Sequence, residues 1–253
     1  ASLCMTRKAR MTRQRAFELL RLARSFEKEE GLMQQYFPYG QAQIAHLCAC
    51  DAALGAVIEQ VGPVCREVTP DLFTALLHSI VSQQISSRAR DTIWARLTDR
   101  FVPFVPACLS QATQEEIQAC GVSMRKAGYI KGIADAVASG GFDLSALHGM
   151  DDEQVCDALC VLPGVGRWTA EMLMIFSIMR PDVLSFGDLG IRRGMRMVYQ
   201  REEITADFFE QCRRRFSPCA TVAGLYFWAV AGGALPGLTD PGKAAGAARR
   251  NRG

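Results

Sequence analysis

The sequence predicts an all-α protein, and two observations carry that prediction. Strict alternation of apolar and polar residues, which is typical of half-buried strands, is nearly absent. Segments with helical spacing of apolar residues follow one another along the 253 residues with short connections between them. Hydrophobic residues make up 49% of the chain, which is too many for a disordered chain and enough for a packed core.

The helices predicted for the first half of the chain are marked by capping residues. Ser86 precedes one helix, and Thr113 with Glu116 forms a capping box for another. Asp51 is a predicted cap near the middle of a longer helical segment. The predicted segments are 15–30, 42–61 with one or two helices, 72–84, 87–101 and 113–120.

A glycine-rich turn, LPGVG at residues 162–166, joins two predicted helices in the second half. Pro163 ends the helix at 151–161, and the next helix runs from Arg167 to Ile178. The two glycines in the turn allow backbone angles that other residues resist, and they leave the first amides of the following helix uncovered. Such a helix start binds an anion, most simply a phosphate.

A single carboxylate follows this turn at the start of another predicted helix. The link at 182–187 leads to Asp188, and the helix at 189–199 has Arg192, Arg193 and Arg196 on its predicted exposed face. Taken alone, an aspartate before a helix is most often only a cap that stabilises by about 1 kcal/mol. Further helices are predicted at 205–216 and 219–231.

Charge distribution and cysteine spacing narrow the class of protein. The net charge is only +3, but basic residues gather at 7–24, 192–196, 213–215 and 249–252, and each cluster is either a nucleic-acid face or a solvated helix face. None of the ten cysteines forms a CxxC pair or a zinc-finger spacing. We expect reduced, mostly core cysteines, no signal peptide, no membrane contact and a reducing intracellular location.

The turn and the carboxylate together resemble a known family. LPGVGRWTAEM, followed about twenty residues later by GDLG at 187–190, resembles the helix-hairpin-helix DNA glycosylase superfamily, and within it the 3-methyladenine DNA glycosylase II family. The resemblance covers residues 51–233. Some members carry an iron–sulfur cluster on four cysteines, but only Cys212 and Cys219 follow the hairpin here.

The resemblance implies two helical lobes with a DNA-binding hairpin and an active-site cleft between the lobes. The expected divisions are a basic segment with a helix at 1–35, the glycosylase fold at 36–235 and a disordered tail at 236–253. Within the fold, lobe one covers about 70–160, and lobe two combines about 36–65 with 167–235.

The family match assigns catalysis to Asp188. Cleavage of a base from deoxyribose builds positive charge on the sugar, which a fixed carboxylate stabilises while it orients or deprotonates water. The helix dipole favours the ionised form of this carboxylate. No second acid is evident to protonate the leaving base. This favours a base that is already cationic, such as an N-alkylated purine.

Aromatic residues of the base pocket follow from the same resemblance. Strand-cutting members of the superfamily have a Schiff-base lysine where this chain has Trp168, which implies a monofunctional enzyme without lyase activity. Trp168 and Trp228 match pocket aromatics whose faces attract a cationic base, although core packing is the alternative for Trp228. Met172 replaces an aromatic of some relatives.

The DNA contacts are expected at three places. The residue matching Gln84 fills the stack after base flipping in the resembling family, and an ordinary loop glutamine is the alternative. Arg125 and Lys126 lie in a first helical turn where the dipole disfavours cations, which indicates a DNA backbone contact or else a solvated face. The assigned DNA-binding residues are Gln84, Ser86, Arg125, Lys126, Gly164, Gly166, Arg167 and Thr169.

No cofactor is expected to be required, and the partner is expected to be double-stranded damaged DNA bound by a monomer. Family precedent adds a possible Na⁺ or K⁺ on the backbone carbonyls of Cys160, Leu162 and Val165. Two alternatives stay open. One is a same-fold glycosylase for uracil or another lesion, and the other is a non-catalytic helix-hairpin-helix DNA-binding module.

Overall fold

The computed structural model describes residues 35–242. The predicted helix at 15–30 and the residues after 242 lie outside the described part. The elements in chain order are β1 (Gln35–Tyr36), α1 (Gln41–Cys50), α2 (Ala52–Val61), β2 (Glu67–Val68), α3 (Leu72–Ser82), α4 (Ser87–Arg100), α5 (Pro106–Gln111), α6 (Gln114–Gln118), α7 (Met124–Ala138), a 3₁₀ helix (Ser145–Gly149), α8 (Asp152–Cys160), α9 (Arg167–Phe176), α10 (Leu189–Tyr199), α11 (Ala206–Phe216) and α12 (Ala220–Ala231).

The all-α prediction is confirmed, with one small addition. The two strands β1 and β2 are two residues each and pair antiparallel, with Gln35 opposite Val68 and Tyr36 opposite Glu67. Strands this short carry no readable alternation, which is why the sequence did not reveal them. The predicted caps Asp51, Ser86 and Thr113 each accept a hydrogen bond from an amide of the helix that follows.

The described chain divides into two compact units. The split unit comprises residues 35–68 and 181–242, and the inserted unit comprises Thr69–Arg180. The sequence placed residues 167–180 in the split unit, and the structure corrects this boundary. Helix α9 packs against α8 and α3, and the amide of Thr69 donates to the carbonyl of Phe176 at 2.8 Å, so α9 completes the inserted unit.

The core of the split unit forms around α12, which is apolar on nearly all faces. Its residues Tyr226 and Phe227 are at most 1% exposed, and Phe216 of α11 packs on Phe227 with ring centroids 5.8 Å apart. A helix that is apolar all round is stable only when it is enclosed by other elements. Helices α10, α2 and α11 all pack against it.

A buried carboxylate links three helices of the split unit. Asp51, which is 5% exposed, caps α2 by accepting from the amide of Leu54 at 2.9 Å. Its other oxygen accepts from the hydroxyl of Tyr199 at 3.0 Å and from the guanidinium of Arg215 at 2.6 Å. Burial, followed by nearby thiol and carboxylate groups, raises the pKa of Tyr199, so this phenol stays a donor. The network therefore joins α2 to α10 and α11.

The inserted unit has its own apolar core. The fully buried side chains include Leu76, Leu77 and Ile80 of α3 and Ile130 of α7. Helix α7 contributes to this core together with its neighbours α5 and α6.

Within residues 35–242, no helix is both long and apolar enough to cross a membrane.

Candidate functional site

The carboxylate of Asp188 occupies a defined position in the split unit. It caps α10, and its Oδ1 accepts a hydrogen bond from the amide of Ile191 at 2.8 Å. The indole Nε1–H of Trp228 on α12 donates to the same oxygen at 2.9 Å. The residue is only 8% exposed. Asp188 is therefore a cap, as its local sequence predicts, and it is also held from the side by an aromatic residue forty positions later in the chain.

Two glycines on one face of α10 permit this arrangement. A Cβ at Gly190 would lie 2.8 Å from Cδ1 of Trp228 and 3.1 Å from Oδ1 of Asp188. One turn later, a Cβ at Gly194 would overlap the carbonyl oxygen of Phe227. Because both positions lack a side chain, α12 approaches closely enough for the indole to reach the carboxylate. The expectation that Gly190 leaves room around Asp188 is met in this geometry.

Trp228, a predicted pocket aromatic, makes two contacts that the sequence did not predict. Its side chain is half-buried, its N–H is bound to the carboxylate, and the guanidinium of Arg66 lies 5.9 Å from its ring centroid. Neither the hydrogen bond nor Arg66 was anticipated from the sequence. Leu189 was also not singled out, although it directly follows Asp188 and is 74% exposed.

The arginines predicted for an exposed face of α10 are used inside the split unit. Arg196 forms a two-bond ion pair with Asp240, at 2.8 Å from Nε and 2.7 Å from the terminal nitrogen, and Arg193 lies 3.7 Å from the same carboxylate. Arg192 stacks over Phe186 at 5.1 Å. The prediction of a basic exposed face on α10 is therefore wrong.

Asp240 lies in the segment that the sequence predicts to be a disordered tail. Its buried contacts show that the first part of this segment is ordered. The residue is 8% exposed, and its hydrogen bonds to Arg196 hold its pKa below the ordinary value. The same bonds raise the pKa of Arg196. Residues 236–242 thus contain the acidic partner of a buried ion pair, which the composition of that segment did not indicate.

The hairpin of the inserted unit joins α8 to α9 as predicted. The amide of Val165 donates to the carbonyl of Leu162 at 3.2 Å, and Gly164 has a φ of +80°. A Cβ at Gly164 would overlap the ring of Tyr129, so both conformation and packing require glycine there. Gly166 is the cap residue of α9, whose helical hydrogen bonds begin with the amide of Ala170 donating to the carbonyl of Gly166 at 2.9 Å.

The side chains at the start of α9 differ in their access to a ligand. The side chain of Arg167 is 69% exposed and lies 3.2 Å from Glu171. Thr169 is 5% exposed, so its side chain belongs to the packing and its predicted DNA contact is limited to the backbone. Trp168 is 46% exposed, and Met172, one turn later, is half-buried. The two predicted pocket residues therefore share the open face of α9.

The expected wedge residue Gln84 lies in an exposed turn between α3 and α4. Its φ of +57° is in the left-handed region, which few non-glycine residues adopt. The neighbouring Gln83, which the sequence analysis did not single out, donates from Nε2 to the carbonyl of Gly164 at 2.9 Å. The turn that carries Gln84 is thereby attached to the hairpin within the inserted unit.

Lys126, a predicted DNA contact, makes two hydrogen bonds within the inserted unit. Its ammonium donates to the carbonyl of Val81 at 2.8 Å and to that of Gln83 at 2.6 Å, which satisfies the end of α3. Burial, followed by the charge of Arg125, lowers the pKa of Lys126. Arg125 itself is exposed, as is Ser86. Lys126 therefore supports the Gln84 turn, and its predicted contact with DNA stays a prediction.

The cysteines show no arrangement for metal chemistry in the described residues. No group of three or more His, Cys, Asp or Glu side chains there is placed to hold a metal ion. Burial and its neighbour Cys160 raise the pKa of Cys156 to about 11, and burial raises the pKa of Cys212 to about 11. These two thiols are protonated at neutral pH and act as packing groups.

A comparison of this sequence and structure with known proteins identifies the family. The family model described as HhH-GPD superfamily base excision DNA repair protein matches residues 77–218, more than half of the chain. The chain therefore belongs to the HhH-GPD superfamily. Its fold is that of a DNA glycosylase of base excision repair, an enzyme that binds DNA.

Individual relatives are of the same kind. DNA-3-methyladenine glycosylase 1 of Schizosaccharomyces pombe is 32% identical over 165 residues, which covers 62% of this chain and 71% of the relative. The crystal structure of a DNA-3-methyladenine glycosidase from Bacillus halodurans is 35% identical with a TM-score of 0.71, covering 78% of this chain and 93% of that one. An S. pombe 3-methyladenine DNA glycosylase in complex with abasic DNA is 27% identical with a TM-score of 0.65, covering 76% and 97%.

Proposed function

We propose that this protein is a monofunctional glycosylase that flips alkylated purines such as 3-methyladenine and 7-methylguanine out of double-stranded DNA. It hydrolyses the N-glycosidic bond and leaves an abasic site. The observation that carries the proposal is the buried carboxylate of Asp188, bound through Oδ1 by the amide of Ile191 and the indole of Trp228. The names of the relatives support the class of lesion.

The fixed carboxylate supplies the main catalytic effect. As the bond to the base breaks, the deoxyribose develops positive charge, and a carboxylate in a fixed, poorly solvated position stabilises this charge without having to reorganise. Two donors on Oδ1 fix the orientation of Asp188 before substrate arrives. The same group orients the attacking water or accepts its proton.

The choice of lesion follows from the charge of the leaving base. A purine alkylated at N3 or N7 already carries positive charge and departs without an added proton, so one carboxylate is sufficient. The face of an indole ring also attracts a cation by about 0.5–2 kcal/mol. Trp228 and the exposed Trp168 are the rings that we assign to the base.

Hydrolysis without strand cleavage follows from Trp168. Members of the superfamily that cut the strand have a lysine at the matching position, whose amine attacks the sugar. An indole cannot form that Schiff base, so water is the nucleophile in this chain. We further propose that the protein acts as an intracellular monomer.

The hairpin carbonyls of Cys160, Leu162 and Val165 are proposed to hold Na⁺ or K⁺. The carbonyl of Leu162 accepts one hydrogen bond from Val165, and a carbonyl oxygen has a second lone pair. If this is right, replacing Na⁺ and K⁺ with tetramethylammonium at constant ionic strength will weaken DNA binding. Equal affinity in both salts would remove the cation from the proposal.

The decisive experiment uses methylated duplex DNA and measures free bases by chromatography. We expect release of 3-methyladenine, with strand breakage only after alkali. Asp188→Asn preserves the shape of the side chain and removes its charge, so release should stop while DNA binding survives. Breakage without alkali would reveal a lyase nucleophile, and turnover by the Asn variant would refute the mechanism. Binding without release would direct the search to uracil and other lesions.

Gln84→Ala tests the wedge. The variant should lose base release from duplex DNA more than it loses binding of undamaged duplex, because extrusion alone needs the inserted side chain. If release and undamaged-duplex binding fell equally, the wedge assignment would fail.

A further inference from the structure

A shallow groove of about 410 Å³ runs along most of α4 in the inserted unit. It begins at Ser86, two residues after Gln84, and continues along the helix to Arg96 and the turn at Gly121. The residues that line it are Ser86, Arg88, Ala89, Thr92, Ile93, Arg96 and Gly121. None of these side chains is acidic, and two are arginines.

The arginines of α4 fall into two kinds. Arg90 pairs with Asp91 at 2.7 Å, and Arg100 pairs with Glu116 at 3.0 Å. The groove residues Arg88 and Arg96 are exposed and make no ion pair within residues 35–242. The two arginines that line the groove are therefore uncompensated positive charges, whereas the two arginines outside the groove are neutralised by acidic partners.

The spacing of Arg88 and Arg96 fits a polyanion better than a single small ion. Eight helical residues span about 12 Å along the axis of α4. Successive nucleotides of one DNA strand advance about 3.4 Å along the duplex, so a strand that runs along α4 would pass about three to four nucleotides between these two helix positions. The groove floor at Gly121 has no side chain, and a Cβ placed there would lie 3.6 Å from Nη1 of Arg96. The missing side chain gives the guanidinium and a ligand room at that end.

We propose that this groove, defined by Arg88 and Arg96, is a second phosphate-binding site that holds the backbone of one DNA strand. The site is separate in sequence from the hairpin at 161–166 and starts beside the wedge turn. It contributes sequence-independent affinity and aligns the duplex before a base is flipped. The proposal rests on DNA binding by this superfamily, and not on the alkylpurine specificity proposed above.

The test measures binding of undamaged duplex DNA to the full chain by fluorescence anisotropy, between about 50 and 200 mM salt. The variants are Arg88→Gln with Arg96→Gln, and the matched control Arg90→Gln with Arg100→Gln, which removes the same charge from the two ion-paired arginines of the same helix. We expect the double variant to bind on the order of tenfold more weakly, with a salt slope reduced by about 0.9 per lost phosphate contact. The control should bind with the slope of the unmodified protein. Circular dichroism checks that each variant is folded.

Three results would overturn the proposal. The double variant could keep the original salt slope, or the control could lose as much affinity as the double variant, in which case only total charge matters. In the third, inorganic phosphate binds the unmodified protein and not the double variant, but millimolar phosphate at constant ionic strength displaces no DNA from the unmodified protein, and the groove is then a site for free phosphate. Because the duplex has no lesion, a failure to release alkylated bases would refute the proposed function without affecting this result.

Discussion

The indole Nε1–H of Trp228 donates a 2.9 Å hydrogen bond to Oδ1 of Asp188, and the two residues lie on different helices of the split unit. The bond gives Trp228 two tasks: its ring is available to a base, and its N–H orients the carboxylate. A substitution that keeps an aromatic ring and removes the N–H tests the hydrogen bond.

Trp228→Phe is expected to slow base release roughly ten- to a hundredfold. A hydrogen bond to a charged group contributes about 1.5–3 kcal/mol, and the carboxylate needs its orientation most in the transition state. Single-turnover kinetics at saturating enzyme measures the effect, and DNA affinity should change little. A release rate equal to that of the unmodified protein would show that the hydrogen bond has no catalytic role.

Gly194→Ala is expected to destabilise the protein by about 1–3 kcal/mol. The new methyl group would overlap the carbonyl oxygen of Phe227 and force α10 and α12 apart. Chemical denaturation measures the loss. Gly237→Ala is the matched control in the same unit, because a Cβ there meets no atom within 4 Å and its φ is not in the left-handed region. Equal stability of the two variants would contradict the close helix contact.

The variants Lys126→Met and Arg125→Gln are expected to differ in which property they lose, base release or the salt dependence of DNA binding. The first removes the two bonds that hold the Gln84 turn, so base release from duplex DNA should fall while the salt slope of binding stays unchanged. The second removes an exposed charge, so the slope should decrease by about 0.9. Anisotropy titrations together with release assays distinguish the variants. A reduced slope for Lys126→Met would restore Lys126 as a phosphate contact.

Asp240→Asn should destabilise the protein at neutral pH and much less in acid. Hydrogen bonds to Arg196 lower the pKa of Asp240 below its ordinary value of 3.8. The stabilisation from this pair is therefore fully present above about pH 3.8, and it is lost as the pH falls through the lower value of the folded state. Thermal melts of the variant and of the unmodified protein, at neutral pH and in acid, measure this difference in stability. A difference in Tm that persists unchanged into strong acid would rule out the ion pair as its source.

Local sequence was sufficient for much of the fold and for part of the site. Capping residues and apolar spacing depend on neighbours within about four positions, so the boundaries of α10, α11 and α12 and the caps Asp51 and Ser86 followed from them. The position of Asp188 at a helix start is local information of the same kind.

Partners distant in the chain were not predictable in this way. The sequence predicted a DNA contact or a solvated face for Lys126, and a nucleic-acid face or a solvated face for the arginines of α10, because their charge is visible while their acceptors are not. Lys126 binds carbonyls more than forty residues away, and Arg196 binds Asp240 at a similar separation. The allocation of α9 to the inserted unit likewise depends on which helices its apolar face meets.

The sequence by itself thus determined an all-helical chain with a glycine hairpin and one carboxylate placed at the start of a helix, since each depends on short-range backbone and capping preferences. Only the tertiary structure decided which charges remain available and which atom orients Asp188. These features depend on packing. Because Gly190 and Gly194 have no side chains, α12 approaches α10 closely enough for the indole of Trp228 to reach the carboxylate of Asp188, forty residues earlier in the chain.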